Sequence, residues 1–409
     1  MPSLPLSTLD LVCLLIDSPE RPLDFAVFLD FKGDPGAEAL ERGARSARNL
    51  YASTRCGVVD GCWVPLEPAA SEPAIRAVRR EECVGDVERF IKTPFRLVQE
   101  PPVRQLWVSD ARTGGGSLIT RIHHCAADLL SGLAWIRHQL RVAAGVDEEC
   151  TEPREIAVPT IADPPPGAKR NPGWACCDPL WTRAGELSGD RCWTTFSVEA
   201  GPLLEISRAT AGFTFNDVLA VAALDTLHEW NRVHGARRRK VGIWLPVNTR
   251  RDPFSGFGNA SSRIRVRRVY SEGSRLADKC RAVRFQVDRA RERGEWVVPQ
   301  RTVLSRLPLR FGAPLVRRYL NRPWADMGTA AFSHVQRWPG YGDPVFDGLT
   351  RLGVLGAMHR RHALMIVAVT RPDRTWLTIT YDPALLTRGD IDRIRDLYVG
   401  MIAAARREV

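Results

Sequence analysis

The sequence predicts an α/β fold of the α+β kind, with mixed sheets and two domains. Strand-like and helix-like segments occur in both halves without alternating strictly, which favours mixed or antiparallel pairing. The chain has 409 residues, of which 44% are hydrophobic, and this is enough for two core-sized domains. A proline-rich stretch at residues 148–178 separates the two halves.

The first half is predicted to contain strands and helices around one hairpin. The hairpin pairs residues 103–109 with residues 117–123, because the consecutive glycines between them suit the positive φ of a turn. The other elements are a strand at residues 25–31 and helices at residues 37–52 and about 129–144.

The second half is predicted to contain a long helix at residues 215–233, because apolar residues recur there at helical spacing. These residues are Val218, Leu219, Ala222, Leu224, Leu227 and Trp230. Thr214 and Asp217 fit a capping box at its start. The remaining predicted elements are strands at residues 192–199, 240–246 and 262–269, a hairpin of residues 363–369 and 375–382, and a closing helix at residues 388–406.

The domain division follows from proline content. Proline fixes φ and removes a backbone donor, so a proline-rich stretch suits an extended connection. The prediction is an amino-terminal domain at residues 1–150, a linker at residues 151–185 and a carboxy-terminal domain at residues 186–409. The prolines that define the linker are Pro153, Pro159, Pro164, Pro165, Pro166 and Pro172.

Composition argues against several classes of protein. No apolar run approaches the ~20 residues that span a bilayer. The first apolar stretch contains Asp10 and Asp17 and lacks a basic leader, so it does not fit a secretory signal. The 10 cysteines are scattered without a CxxC pair, which fits reduced thiols in a cytoplasmic protein. No metal site is expected, since metal-ligand spacings such as HExxH are missing from the sequence. No cofactor is expected either.

The net charge of +11 leaves two interpretations open. One is a solvated basic surface, and the other is attraction to an anionic cosubstrate such as coenzyme A or to an acidic carrier protein. Arg263, Arg265 and Arg267 alternate with apolar residues, so they form either the solvated face of a strand or a basic wall for such a partner. Nucleic acid is not expected, because the basic clusters at residues 237–240 and 317–318 lack a nucleic-acid motif.

The candidate site is the segment His123-His124-Cys125-Ala126-Ala127-Asp128, which ends a predicted strand. Adjacent side chains of a strand face opposite ways, so only one histidine points into a given cavity. A histidine accepts and returns a proton near neutral pH, and His124 is predicted as the general base. Asp128 fits a helix N-cap that also pairs with an arginine. Arg250 is predicted to meet Asp128, Asp217 or a phosphate.

This segment resembles the HHxxxD motif of the acyltransferase superfamily that includes chloramphenicol acetyltransferase, nonribosomal peptide condensation domains and wax ester synthase/diacylglycerol acyltransferases. The resemblance is closest to the last group and covers most of the chain. The other matching segments, in order, are Pro5-Leu6-Ser7-Thr8-Leu9-Asp10, Pro101-Pro102-Val103-Arg104-Gln105-Leu106-Trp107, Asn216-Asp217-Val218-Leu219-Ala220, Leu245-Pro246-Val247-Asn248-Thr249-Arg250, Gly258-Asn259, Ser333-His334-Val335 and Pro339-Gly340. Leu129 stands where the family usually has glycine, and His334 where it has asparagine.

The resemblance implies two chloramphenicol-acetyltransferase-like domains arranged in a V, with an active-site tunnel between them. The implied catalytic residues are His124, His123 and Asp128, with His123 orienting its neighbour. The implied substrate-binding residues are Ser131, Gly132, Asn216, Asn248, Arg250, Asn259, Ser333 and His334.

The implied reaction is transfer of an acyl group from acyl-CoA or an acyl carrier protein to a small hydroxyl or amine acceptor, with at most peripheral membrane association. O-acyl transfer to a lipid or a specialised metabolite is the first interpretation. The alternatives are a condensation-domain-like or repurposed enzyme of natural-product biosynthesis, and a noncatalytic module that binds a carrier protein.

Overall fold

The structure is a computed structural model that describes residues 4–18, 22–66, 75–83, 85–163, 165–166, 177–209, 213–236, 240–252, 256–296, 314, 318, 328–336, 338–358 and 362–408. Residues 237–239 and 317 of the predicted basic clusters lie outside these ranges, as do Pro164 and Pro172 of the predicted linker.

The helices in this part of the chain are α1 (Thr8–Ile16), α2 (Ala37–Leu50), α3 (Asp86–Lys92), α4 (Leu129–Ala143), α5 (Ala200–Ala209), α6 (Phe215–Val233), α7 (Leu276–Glu292) and α8 (Arg388–Arg407). The strands are β1 (Leu4–Pro5), β2 (Asp24–Phe31), β3 (Cys56–Val59), β4 (Cys62–Pro65), β5 (Ile75–Arg79), β6 (Val103–Asp110), β7 (Gly115–His123), β8 (Cys192–Glu199), β9 (Gly242–Asn248), β10 (Ser261–Arg267), β11 (Ala330–Val335), β12 (Leu349–Leu355), β13 (Leu364–Thr370) and β14 (Arg374–Tyr381). None of these helices combines the length and apolarity needed to cross a membrane.

The first sheet carries the candidate site. Its five described strands run in the order β12-β2-β7-β6-β5, and all neighbours are antiparallel except β5 and β6. In the centre of the sheet, Asp24 of β2 lies opposite His123 of β7. Helices α2 and α4 approach each other closely, since a Cβ on Gly43 would lie 2.1 Å from the carbonyl oxygen of Gln139. This close contact helps to fix α4, which follows the candidate site directly.

The second sheet is formed entirely from the second half of the chain. Its six described strands run in the order β10-β9-β11-β13-β14-β8, with β11 parallel to both of its neighbours. Helices α5 to α8 contribute to the hydrophobic core of this half. The hydroxyl of the buried Tyr398 on α8 donates to the carbonyl oxygen of Leu219 on α6, 3.1 Å away.

One strand of the second half of the chain completes the sheet of the first half. Strand β12 comes from the second half but pairs with β2 of the first half. One hydrophobic cluster therefore contains residues of both halves, including Phe25, Trp107, Trp338 and Val367. The described part of the predicted linker contacts both halves as well, because Arg154 N–H donates to Asn49 and Ala162 N–H donates to Thr249.

The predicted fold class is confirmed, since the two large sheets are mixed and helices pack on them. A third, antiparallel sheet in the described chain has the strand order β1-β4-β3. The predicted hairpins, the long helix and the closing helix are present, although the strand predicted at residues 240–246 begins two residues later. The prediction does not include β12. Its partner strand β2 lies at the other end of the sequence, and local periodicity does not reveal which strand it pairs with. The division at residues 151–185 stays a prediction.

Candidate active site

Strand β7, the central strand of its sheet, ends at His123, and neighbouring segments fix the backbone of His123 and His124. His123 N–H donates to the carbonyl oxygen of Pro102 at 2.8 Å, and His124 N–H donates to that of Leu23 at 2.8 Å. These bonds hold the histidines between the start of β6 and the start of β2. The backbone at the site is therefore placed by the sheet and not by a free loop.

His123 is held in this turn by contacts on both ring nitrogens. Its Nδ1 accepts a hydrogen bond from the backbone N–H of Cys125 at 3.1 Å, so its ring proton lies on Nε2. That Nε2 lies 3.4 Å from a carboxylate oxygen of Asp17, and the ring meets Phe95 edge-on. With only 1% of its surface exposed, His123 is oriented away from the solvent-accessible side of the turn.

His124 lies in a different environment, as the alternation of a strand predicts. Its ring meets Phe25 edge-on, and its Nδ1 lies 3.3 Å from Oδ1 of Asn259. The amide of Asn259 is oriented by its other end, because Nδ2 donates to Oδ1 of Asp10 at 2.8 Å and to the carbonyl oxygen of His124. The amide oxygen therefore faces His124, which places the ring proton on Nδ1 and leaves the lone pair on Nε2.

Burial lowers the pKa of His124, and the charge of Asp128 together with the hydrogen bond to Asn259 opposes this effect. The imidazole is therefore neutral at neutral pH, which is the form that accepts a proton. It is partly buried, so the ring is shielded from bulk water without being sealed from it.

Asp128 is buried and saturated with donors. It caps α4 through the N–H of Ser131 at 3.0 Å and accepts the N–H of Ala260 at 3.0 Å. The two terminal nitrogens of Arg250 bind its two oxygens at 2.8 and 3.0 Å. A carboxylate held by four donors is a structural anchor, and it is not placed to remove a proton from a substrate.

Arg250 crosses from the second half of the chain to bind this anchor, which confirms the predicted pairing with Asp128. It also donates to Oγ of Ser131 at 2.7 Å and to the carbonyl oxygen of Gly258 at 2.9 Å. Oδ1 of the exposed Asn248 accepts from the backbone N–H and the guanidinium of Arg250. This network fixes the start of α4 against the loop that precedes β10.

Gly132 permits the close packing behind the histidine. A Cβ at this position would lie 2.8 Å from the ring of Phe25, which is the same ring that His124 contacts. Leu129, where the resemblance has glycine, is partly buried against the hydrophobic cluster that contains Phe25. The surroundings of His124 are therefore apolar on the side of β2 and α4.

Asn216, Ser333 and His334 form a second group in the carboxy-terminal half. Nδ1 of His334 lies 3.3 Å from Oδ1 of Asn216, and its Nε2 lies 2.9 Å from the hydroxyl oxygen of Thr370. Burial alone lowers the pKa of His334 to about 3. Ser333 is buried beside it on β11. His334 makes its ring hydrogen bonds with neutral groups of its own half.

The predicted residues thus fall into two sets. His124, Asp128, Ser131, Gly132, Asn248, Arg250 and Asn259 lie around one turn, whereas Asn216 of α6 lies beside Ser333 and His334 of β11. The predicted site residues omit three contributors, namely Asp10, Asp17 and Thr370, although Asp10 ends one of the segments that match the family. Asp10 has a readable signal, because Ser7 and Asp10 have the spacing of a capping box, which the structure shows at the start of α1.

The predicted arginine row lies on β10, an edge strand in the described part of its sheet. Its alternation is confirmed, since Ile264 and Val266 are buried while Arg263 is exposed and Arg265 and Arg267 are partly buried. The guanidinium groups of Arg263 and Arg265 lie 4.4 and 5.6 Å from the ring centre of Trp244. The predicted capping box is also confirmed at the start of α6, where Asp217 pairs with Arg284.

No protein-family model matches this sequence, and neither does any curated protein. Solved structures do match. The first condensation domain of the calcium-dependent antibiotic synthetase, in complex with a substrate analogue, is 14% identical, with a TM-score of 0.71 and coverage of 99% of this chain and 96% of that one. The cyclization–docking bidomain of a nonribosomal peptide synthetase from Sorangium cellulosum is 11% identical, with a TM-score of 0.72 and coverage of 100% and 86%.

A third match is the starter condensation domain of rhizomide synthetase in complex with C8-CoA and Leu-SNAC. It is 15% identical, with a TM-score of 0.69 and coverage of 98% of this chain and 94% of that one. The chain has the fold of a condensation domain. This agrees with the chloramphenicol-acetyltransferase-like architecture that the resemblance implies, and at this identity the match establishes the fold alone.

Proposed function

We propose that this protein transfers an acyl group from a thioester to a hydroxyl or amine acceptor, with Nε2 of His124 as the general base. The observation that carries the proposal is the hydrogen-bond arrangement of the His124 imidazole. Asn259 holds the proton on Nδ1, so the basic lone pair lies on Nε2. Burial keeps that nitrogen unprotonated at neutral pH.

In the proposed reaction, Nε2 of His124 takes the proton of the acceptor as its oxygen or nitrogen bonds to the thioester carbonyl carbon. The tetrahedral oxyanion then collapses and breaks the carbon–sulfur bond. The thiolate leaves with the proton held by His124, so the products are the acylated acceptor and a free thiol. A positioned base contributes ~10²–10⁴-fold, and orientation of the two substrates supplies much of the rest.

The other site residues act by positioning in this proposal. Asp128 and Arg250 hold the start of α4 to the loop that contains Asn259, and their polar atoms bind one another. The apolar surroundings contributed by Phe25 and Leu129 favour an acyl group or acceptor with an apolar part. The donor class is supported by the C8-CoA with which the starter condensation domain of rhizomide synthetase forms a complex.

For the acceptor, the first proposal is a hydroxyl group, with O-acyl transfer of the wax ester synthase/diacylglycerol acyltransferase kind. This proposal rests on the sequence motifs. The alternative is amide formation or another condensation-type reaction, which the match to condensation domains favours. Both use a thioester donor and His124 in the same role, and they differ in the acceptor. A hydroxyl acceptor yields an ester and an amine acceptor yields an amide, so product analysis separates them.

The test is incubation of the purified protein with acyl-CoA or acyl-pantetheine thioesters and a panel of hydroxyl and amine acceptors. Intact mass analysis and a thiol assay should show the acylated acceptor and free thiol in equal amounts. His138→Gln is the matched control, because the ring of His138 on α4 is hydrogen-bonded to Ser46, away from the turn. A His124→Ala variant that keeps more than about a tenth of wild-type turnover would overturn the assignment, and carrier-protein binding without turnover in wild type would favour the noncatalytic module.

A further inference from the structure

Asp10 takes part in a capping box of α1 and also contacts Asn259, a residue distant in sequence. It is 6% exposed on α1, and one of its oxygens accepts the backbone N–H of Ser7 at 3.0 Å to close a capping box. Its other oxygen accepts Nδ2 of Asn259 at 2.8 Å, across 249 residues of sequence. That second contact has no part in capping α1.

We infer that Asp10 is a positioning residue for His124 and that it acts through the side-chain amide of Asn259. The inference rests on the proposed function, because it concerns which ring nitrogen of His124 is basic. Burial raises the pKa of Asp10 to about 6, so its carboxylate is ionised at neutral pH and accepts hydrogen bonds on both oxygens.

The physical argument concerns the two orientations of an amide. In the observed orientation, Nδ2 of Asn259 faces two acceptors, the Asp10 carboxylate and the His124 carbonyl oxygen, and Oδ1 faces the ring. A flipped amide would set its oxygen against both acceptors and its NH₂ group against Nδ1 of His124. The flip would favour the tautomer with the proton on Nε2, which cannot remove a proton from an acceptor.

The competing explanation is that Asp10 serves α1 alone. Asp390 provides a matched control, because it closes the same kind of capping box with Thr387 at the start of α8 and is 7% exposed. Its carboxylate has no contact with Asn259 or His124 in the described structure. Asp10→Ala and Asp390→Ala therefore remove equivalent capping groups, and only the first removes the contact with Asn259.

The first readout does not depend on activity. Long-range ¹H–¹⁵N correlation spectra of the imidazoles report which ring nitrogen carries the proton, and His124→Ala assigns the His124 signals. We expect wild type and Asp390→Ala to show the proton on Nδ1 of His124, and Asp10→Ala to show a substantial population with it on Nε2. If Asp10→Ala does not fold, Asp10→Asn replaces it, since a carboxamide has one oxygen for two donors.

The second readout is kinetic. Asp10→Ala should lower kcat about tenfold, the effect of losing one hydrogen bond to a charged group, and leave both KM values unchanged. In an Asn259→Ala background the same substitution should have no further effect on kcat, because Asp10 acts through that amide. Asp390→Ala should lower the melting temperature without changing kcat.

An unchanged His124 tautomer in Asp10→Ala, or kcat losses that add in the double variant, would overturn the role of Asp10. Absence of acyl transfer with every donor and acceptor would instead refute the proposed function. In that case the spectra still decide whether Asp10 controls the ring of His124, so the two failures are distinguishable.

Discussion

His124 and His334, one in each half of the chain, are both partly buried in polar networks, and their surroundings differ in charge. His124 faces the amide oxygen of Asn259 and the electrostatic field of the Asp128 carboxylate. His334 faces Asn216 and Thr370, which are both neutral. Burial lowers the pKa of both rings, but at His334 nothing opposes it and the pKa falls to about 3.

This comparison shows what a buried histidine needs in order to work as a base. A general base must hold a proton during the reaction, so its surroundings must stabilise the imidazolium as well as the neutral ring. The carboxylate and the amide oxygen near His124 can do this, whereas the network of His334 suits a permanently neutral ring. We therefore expect substitutions at the two histidines to affect different properties of the protein.

The largest difference should appear in turnover. His124→Ala should lower kcat at least 100-fold, because a positioned base contributes ~10²–10⁴-fold. His334→Gln retains hydrogen-bonding capacity and should keep kcat within a few-fold of wild type. Acyl-transfer assays on both variants, with circular dichroism to verify folding, make the comparison. A His124→Ala variant with more than about a tenth of wild-type turnover would contradict the assignment of His124 as the base.

The next effect concerns the anchor beside His124. Asp128→Asn should lower the free energy of unfolding by about 3 kcal/mol or more, because it leaves the buried guanidinium of Arg250 without its counter-charge. Asp24→Asn is the comparison variant, since Asp24 is also buried but binds Arg121 and Arg191, whereas Asp128 binds Arg250. Denaturant unfolding of both variants measures the effect.

Both variants should lose stability, and the remaining folded Asp128→Asn protein should retain part of its activity. An Asp128→Asn protein as stable as wild type yet inactive would argue instead that this carboxylate takes part in the chemistry.

A smaller effect, on the donor KM, should show whether the donor binds along the arginine row of β10. Strand β10 begins two residues after Asn259, so the arginine row extends from the His124 network along an edge strand. If the row meets coenzyme A phosphates or an acidic carrier, Arg265→Glu should raise the donor KM several-fold and leave the acceptor KM unchanged. The donor KM of wild type should also rise with salt.

Steady-state kinetics at two ionic strengths test this. Equal donor kinetics in wild type and Arg265→Glu at both salt concentrations would show that the row is only a solvated strand face. That result would leave the role of His124 intact.

The smallest effect on activity, with a clear effect on acid stability, should come from His334. Its pKa is about 3 in the folded protein and ~6.5 when unfolded, so the unfolded state binds the proton first as the pH falls. This residue should therefore cost stability as the pH falls from about 6.5 towards 3, by at most about 1.4 kcal/mol per pH unit. His334→Gln should flatten this part of the stability profile, which unfolding experiments between pH 4 and pH 7 would show. An unchanged slope would contradict the buried, neutral state of His334.

Much of the candidate site could be predicted from the sequence because its parts are local. The strand that ends at His124, the N-cap at Asp128 and the capping box of Asp217 each lie within a few residues and have a readable pattern. The pairing of Asp128 with Arg250 was predictable as one option, since a buried carboxylate requires a partner.

The rest could not be predicted because it depends on contacts between distant segments. Asp10 meets Asn259 only after α1 and the loop before β10 are brought together. Strand β12 joins the sheet of the first half, and no local periodicity indicates which strand it will pair with. The neutral surroundings of His334 likewise come from the fold, because Asn216 and Thr370 are distant from it in sequence.

The most direct test of the central claim combines kinetics with site-resolved titration. The pH dependence of kcat/KM should be measured alongside the NMR titration of the His124 and His334 rings, assigned with His124→Ala and His334→Gln. We predict that kcat/KM falls on acidification with the midpoint of His124, which lies below the ordinary histidine value, and that His334 stays neutral throughout this range. A midpoint of kcat/KM that differs from the titration of His124 would contradict its assignment as the base.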